Sequence, residues 1–453
     1  MVRGAKLSVS AVKVSELEGY RRVDAEYYQP HYLKLARRFE KFKSLGESQV
    51  SLFHPAEVKR VYEEEGLQLL FTQNIRTNRL DLSHVGFLPF EVEPEIRRNK
   101  LEAGDVVVTR TGANFGDAAP YDGSPAPLYA SAHCIVIRSK TIPGAYLSTY
   151  FNTDIGRALV RRGVYGAAQP EIAPEYLRTL RIPRDERTER IVEQKLKQSK
   201  EKFRDSVNLY TQAQALLAAE LGLDKLDLGE SLYSVRRVSE VRESGRADAE
   251  YYRRKYLNLL SYLDKQPHAT LEDLATFSGG ATPLGAEYLE EGIPFMRIQN
   301  VGENRLVMDD VAYIDETIHT GELKRSQLKP RDVLITITGR IGTSAVVPDD
   351  LERANINQHI VRMRLKSDEL NPYYLAAFLN SVGGRLQTER EAYGTTRDAL
   401  PYYCLARVRV LKANVGLQKE VERTIRKAEE TNREAKRLLA EAKAQVERMI
   451  EGA

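Results

Sequence analysis

Several short strings in this chain have the residue types that catalysis uses. Asn371-Pro372-Tyr373-Tyr374 has the make-up of a box that grips an exocyclic amino group, the Asn and the Pro carbonyl holding the nitrogen while an aromatic ring stacks on an extruded base. Its counterpart earlier in the chain is only Pro143-Gly144-Ala145-Tyr146, and the Gly-rich loop that a methyl donor needs is missing. A proline in the first turn of a helix accounts for the string without chemistry. Asp315 followed by Glu322-Leu323-Lys324 has the make-up of a metal-dependent nuclease core, but its counterpart Glu95-Ile96-Arg97 has no matching acid upstream. The Gly-rich stretches TRTGANFG and TITGRIG lack the Gly-Lys-Ser/Thr that a nucleotide-triphosphate loop requires. Seven histidines without paired spacing, and Cys134 and Cys404 without a CxxC neighbour, speak against a metal site or a disulfide framework.

Another set of residues does recur in matched places. Arg, Asn and Gln read base edges in the major groove, while Arg, Lys, Ser, Thr and backbone N–H groups hold phosphates. The first half offers Gln73, Asn74, Arg76, Asn78 and Arg79, then Arg110, Thr111 and Asn114, then Tyr165 and Gln169. The second half offers Arg297, Gln299, Asn300, Asn304 and Arg305, then Thr338, Arg340 and Thr343, then Asn357, Gln358 and His359, then Tyr393, Thr395, Thr396 and Arg397. The Gly-rich loops 112–116 and 339–342 permit close approach of backbone to a phosphate. As sets, the loops 110–114, 165–169, 338–343 and 393–397 are the candidate DNA contacts.

These sets match because the chain is an internal duplication. RVDAEYY at 22–28 returns as RADAEYY at 246–252. Phe71-Thr72-Gln73-Asn74 aligns with Arg297-Ile298-Gln299-Asn300, Asn78-Arg79-Leu80 with Asn304-Arg305-Leu306, and LEAGDVVVTRTG (101–112) with LKPRDVLITITG (328–339). Gly156-Arg157 and Tyr165-Gly166 match Gly384-Arg385 and Tyr393-Gly394. The clustering of acids and tyrosines in RVDAEYY and RADAEYY points to packing, or to contact with a partner, rather than to chemistry.

The elements follow from periodicity. Each half opens with a Tyr-rich, partly helical lead. Strand-like runs come next: VVVT (106–109), CIVIR (134–138), VLITIT (333–338) and HIVRMRL (359–365). Helical stretches lie around 145–162 and 372–392. Short closing strands are expected at LRTLRIP (177–183) and ARVRVLK (406–412). A long polar helix then ends each half. Val192, Leu196, Ser199, Phe203, Ser206, Tyr210, Ala213 and Leu217 keep heptad spacing, as do Leu417, Val421, Thr424, Ala428, Thr431, Ala435, Leu438 and Ala442, with Ile425, Leu439, Val446 and Ile450 widening the stripe. Two helices of that length, each roughly 50–55 Å at ~1.5 Å per residue, can pair as a spacer between two units related by an approximate two-fold axis. Such a molecule would read a split site. Because the loops differ between halves, the site would be asymmetric.

Composition sets outer bounds. The chain has 453 residues with net charge +4, 42% hydrophobic and 29% charged. That balance allows a nucleic-acid partner without demanding one, since local clustering sets the surface field. No apolar run has the length of a membrane span, the first residues lack the apolar core of a signal peptide, and two distant cysteines suit a reducing cytoplasm.

The order of motifs resembles one family. SGGATPLGAEYLEEGIPFMRIQN, LKPRDVLITITGRIGTSAVV and ANINQHIVRMRL in the second half, with LEAGDVVVTRTGANFGD and YGAAQPEIAPEYLRTLRIP in the first, are similar to the target-recognition domains of Type I restriction–modification specificity subunits. The first half departs at LQLLFTQNI, which replaces an IPFMRI-like run. The second departs at Arg331, where a glycine is usual, and at LARVRVLK, which does not end in proline. The resemblance implies an α+β (mixed α/β) protein: target-recognition domains at 1–183 and 223–412, spacer helices at 184–222 and 413–453, and the helices in an antiparallel coiled coil. It implies double-stranded DNA and two methyltransferase subunits as partners, with or without a motor-nuclease subunit, and no membrane. It implies no catalytic residue, cofactor or metal in this chain. S-adenosylmethionine would belong to the methyltransferase, and ATP and Mg to any restriction subunit. The competing readings are a fused DNA methyltransferase or nuclease, and a non-catalytic coiled-coil adaptor.

Overall fold

Continuous apolar runs such as VVVT and VLIT suit strands buried on both faces, and each becomes the middle of a sheet. The computed structural model describes residues 9–452 except 15–16, 18–21, 60, 113, 167–169, 230–232, 284, 286–287 and 394–397. The chain divides into two units, one of Met1–Phe203 with Arg433–Ala453, the other of Arg204–Asn432.

In unit 1, Val106–Thr109 pairs antiparallel with Cys134–Ser139 and Ala118–Pro120, and Val50–Phe53 adds the fourth strand. Unit 2 repeats this sheet with Val333–Thr336, Ile360–Leu365, Ser344–Val346 and Ala275–Gly279. A second, mixed sheet of three strands also recurs. Leu67–Leu70 runs antiparallel to Gly86–Leu88 and parallel to Leu128–Ala130, and Ile293–Met296 stands likewise between Ala312–Ile314 and Asn355–Ile356. The LQLL run and the IPFM run thus form the same strand, each followed by a 3-10 turn, Thr72–Asn74 or Ile298–Asn300.

The helical stretches are each broken once. Gly144–Asn152 gives way to Asp154–Arg162 at Thr153, whose hydroxyl accepts from Gly156 N at 3.0 Å. Pro372–Asn380 gives way to Val382–Glu391 at Ser381, which accepts from Gly383 N at 3.1 Å. Short hydroxyl residues at N-caps explain both breaks. The closing strand is present only in unit 2, where Arg409–Leu411 pairs with His268–Thr270. LRTLRIP does not form one. Pro174 starts a helix that runs to Thr179, a single bridge joins Arg181 to Ser44, and Pro183, which has no N–H, ends the pairing.

Asp105 and Asp332 fix the turn into each central strand. Each is 1% exposed. Asp105 accepts Arg138 Nε and Nη2 at 2.8 Å each and Glu102 N at 2.7 Å. Asp332 accepts Arg364 Nε and Nη2 at 2.7 Å each and Lys329 N at 2.7 Å. Bidentate pairing of this kind is both strong and directional.

RVDAEYY and RADAEYY form struts. Arg22 pairs with Asp24 and lies 4.7 Å from the Tyr27 ring centre, while Arg246 pairs with Asp248 and lies 4.7 Å from Tyr251. A second guanidinium also lies over each ring, Arg162 at 4.1 Å or Arg390 at 3.5 Å, and each donates from Nε to the tyrosine's own carbonyl at 3.1 Å. Packing, the first of the two roles expected from sequence, is what these residues do within the chain.

The long helices run Glu186–Glu220 and Val415–Gly452. Asp185 and Asn414 cap them, accepting from Thr188 N and Leu417 N at 2.8 Å. Gly222, in the left-handed region (φ 64°), follows the first. Along the first seam every heptad residue except Phe203 is buried. In unit 1, Val192 and Leu196 pack with Ala442, Val446 and Ile450, Ser199 Oγ donates to Ala435 O at 2.8 Å, and Lys195 and Lys202 pair with Glu441 and Glu434. In unit 2, Tyr210, Ala213 and Leu217 pack with Leu417, Val421, Ile425 and Ala428, and Ser206 Oγ donates to Ala428 O at 2.8 Å. Rising numbers on one helix meet falling numbers on the other, so the pairing is antiparallel in each unit. Among the described residues no helix is long and apolar enough to cross a membrane.

Candidate nucleic-acid interface

Two loops converge at one edge of the four-stranded sheet in each unit. The first follows the central strand and carries the Gly-rich stretch. The second follows the broken helix. A backbone bridge between Thr111 and Glu171 joins them in unit 1, and one between Thr338 and Ala399 joins them in unit 2. Gly116 and Gly342 turn the first loop back at φ 84° each, and a side chain there would strike Val160 or Thr388.

Beside the first loop, where the chain enters the next strand, lies a polar frame that recurs in both units. Asn78 (φ 57°) and Asn304 (φ 58°) are left-handed and buried. Asn152 Nδ2 donates to Asn78 Oδ1 at 2.9 Å and to Ala118 O at 2.7 Å. Asn380 Nδ2 donates to Asn304 Oδ1 at 2.9 Å and to Ser344 O at 2.8 Å. Asn74 Oδ1 accepts from Phe71 N, and its Nδ2 donates to Asp81 O, both at 2.8 Å. Asn300 does the same with Arg297 N and Val307 O at 2.9 Å. Asn74, Asn78, Asn300 and Asn304 are buried: Asn74 and Asn300 tie the backbone of their own turns with both amide ends, and Asn78 and Asn304 accept from the Asn152 and Asn380 amides. Buried amides placed in this way are not presented to a base.

The remaining expected residues sort by exposure. Gln73, Arg76 and Asn114 are exposed in unit 1, as are Gln299, Arg340 and Gln358 in unit 2. Arg79 and Arg305 are half-buried, their guanidinium carbons 4.7 Å from the Phe203 ring centre and 5.6 Å from the Tyr210 ring centre on the long helix. Arg297 is held by Asp310 at 3.2 Å. Thr343 is half-buried, and Asn357 is buried with Oδ1 accepting from His359 N at 3.2 Å. Gln169, Thr395, Thr396 and Arg397 lie outside the described residues.

At the loop junction the two units differ. In unit 1, Thr111 Oγ1 lies 3.2 Å from His133 Nδ1. Arg110 Nη2 donates to Glu171 Oε2 at 2.8 Å, the Tyr165 hydroxyl donates to the same oxygen at 3.2 Å, and His54 Nε2 lies 2.7 Å from Arg110 Nη1. In unit 2, Thr338 Oγ1 lies 2.9 Å from His359 Nδ1, the Tyr393 and Tyr403 hydroxyls are 3.4 Å apart, and Thr282 donates to Gln358 Oε1. Sequence reasoning named His359 but missed His133, although the two are as far apart as Gln73 and Gln299 and a strict reading of the duplication finds it. Glu171 and Tyr403 lie close in sequence to Tyr165 and Tyr393, but their types gave no base-reading signal, and His54 and Thr282 are brought in from a distant part of their units.

The catalytic-looking strings have structural uses. Asn371 caps a helix, accepting from Tyr373 N at 2.9 Å, and Tyr373 and Tyr374 are buried, the latter donating to Leu411 O at 2.7 Å. Asp315 caps the helix Glu316–Thr320 through Thr317 N at 2.8 Å. Cys134 and Cys404 are free and buried, and burial pushes the Cys134 thiol up to about 12.

No family model and no curated protein matches the chain. Solved structures are similar to it. The S subunit of a Type-I restriction-modification system from M. genitalium is 12% identical, with a TM-score of 0.39 over 91% of this chain and 96% of that one. The HsdS subunit from Thermoanaerobacter tengcongensis is 14% identical, with a TM-score of 0.30 over 91% and 95%. A chain from a study of complex assembly and conformational transition of the type I R-M system is 15% identical, with a TM-score of 0.30 over 89% and 96%.

Proposed function

We propose that this chain is the sequence-specific DNA-reading subunit of a Type I restriction–modification enzyme. It reads a bipartite, asymmetric site and scaffolds methyltransferase subunits. One observation carries the reading: each unit builds the same buried amide frame and the same bridged pair of loops, yet the described side chains at the loop junction differ. A duplicated scaffold with unlike presentation is what two-part recognition of an asymmetric duplex needs. The motif order of the sequence supplies the family. Chemistry falls to the partners: S-adenosylmethionine and adenine extrusion to the methyltransferase, ATP and Mg to a restriction subunit where one is present.

Replacing residues 1–183 by the same region of a protein with another target should change one half of the methylated motif and leave the other half as it was. Mapping methylated adenines in a host carrying the exchanged gene with its partner reads this out. A change in both halves, or in neither, overturns the proposal. Methyl transfer to DNA by the purified chain alone would establish the enzyme reading instead.

A further inference from the structure

Arg110 is set apart from the other basic residues of the loop junctions by how it is held. Its backbone is fixed twice, Arg110 N donating to His133 O at 2.9 Å and its carbonyl accepting from Ile172 N at 3.3 Å. Its guanidinium is held at one corner by Glu171, which Tyr165 steadies in turn, and at the other lies 2.7 Å from His54 Nε2, an atom that also sits 2.5 Å from Ala132 O. Nε is buried without a partner, while the side chain as a whole stays 22% exposed. Nε therefore faces inward. Each terminal nitrogen carries two hydrogens, so the one contact made by each leaves an N–H for an outside acceptor. Two parallel N–H groups on a fixed plane match the O6 and N7 acceptors of guanine in the major groove. A phosphate contact needs no such orientation, and exposed lysine or arginine tips provide it without support.

Among the described residues, unit 2 has different residues at these two places. The residue whose N–H donates to His359 O, in the place of Arg110, is Ile337, and the residue bridged to Thr338, in the place of Glu171, is Ala399. The geometry points to Arg110 as the reader of one guanine in the half-site bound by unit 1, with Glu171 as its positioning residue. This rests on the DNA-reading function proposed above.

The test is selection from a pool of duplexes, randomised over 24 base pairs, on the full-length chain with the wild-type, Arg110→Ala and Glu171→Gln sequences. The wild type should enrich a two-part motif. Arg110→Ala should lose preference at one G·C position of one half and keep the rest. Glu171→Gln should weaken preference at that same position. With the wild-type protein, 7-deazaguanine at that position should lower affinity about 10-fold or more, while Arg110→Ala should be insensitive to it. The second arm leaves the protein unchanged, so it stands even where a variant folds poorly. An unchanged motif in Arg110→Ala, a lost position that is not G·C, or a uniform loss of affinity with a shallower salt dependence overturns the inference and leaves the DNA-reading function standing. A wild-type pool without an enriched motif overturns that function itself, and this inference with it.

Discussion

Arg331 occupies the left-handed region (φ 69°) at the place that Gly104 (φ 95°) takes in unit 1. A side chain there costs roughly 1–2 kcal/mol, offset in part by a half-exposed pair with Glu422 at 3.3 Å. Arg331→Gly should therefore leave stability unchanged or raise it by up to about 1 kcal/mol, measured by denaturant unfolding. A loss larger than that would mean the Glu422 pair outweighs the backbone strain. Asp332 is the opposite case. Asp332→Ala would strand the Arg364 fork and the Lys329 N–H, and should cost about 2–3 kcal/mol. Acid should weaken the struts as well. The hydrogen bonds from Arg22 and Arg246 hold the Asp24 and Asp248 carboxyls below the ordinary carboxylate range. Their contribution is full above the unfolded pKa of about 4 and is lost as pH falls through the lower folded values. Unfolding measured from pH 5 down to pH 2 should show that loss, and Arg22→Gln with Arg246→Gln should flatten it.

At the scale of elements, the paired helices depend on small seam residues. Ser199 and Ser206 reach the carbonyls of Ala435 and Ala428 because the backbones approach closely at those points. Ser206→Leu should overpack that approach and cost about 1–3 kcal/mol, whereas Ser206→Ala should cost about 1 kcal/mol. Equal losses for the two would mean that packing at this point is loose. The heptads, the central strands and the long helices were legible in sequence because periodicity is a local signal. The break at Thr153 and the missing strand at LRTLRIP were not, since a hydroxyl that caps and a proline that stops a ladder act through geometry formed only on folding. The candidate site was legible as loops rather than as residues. Asn74, Asn78, Asn300 and Asn304 have the right type for base reading, and only burial reveals that they face the other way.

Across the whole molecule, the duplication visible in the sequence extends to individual contacts: the Asp–Arg forks, the tyrosines under arginines and the asparagine ties recur in each unit. What recurs is the supporting framework. What differs is the set of groups presented at the loop junctions, charged and carboxylate-steadied in one unit, hydroxyl- and aromatic-rich in the other.

The inward asparagines have a consequence for descent. Because these amides are buried in each unit's own framework, substitutions at the exposed side chains beside them should cost little folding free energy. Such positions can then vary over generations while the unit still folds.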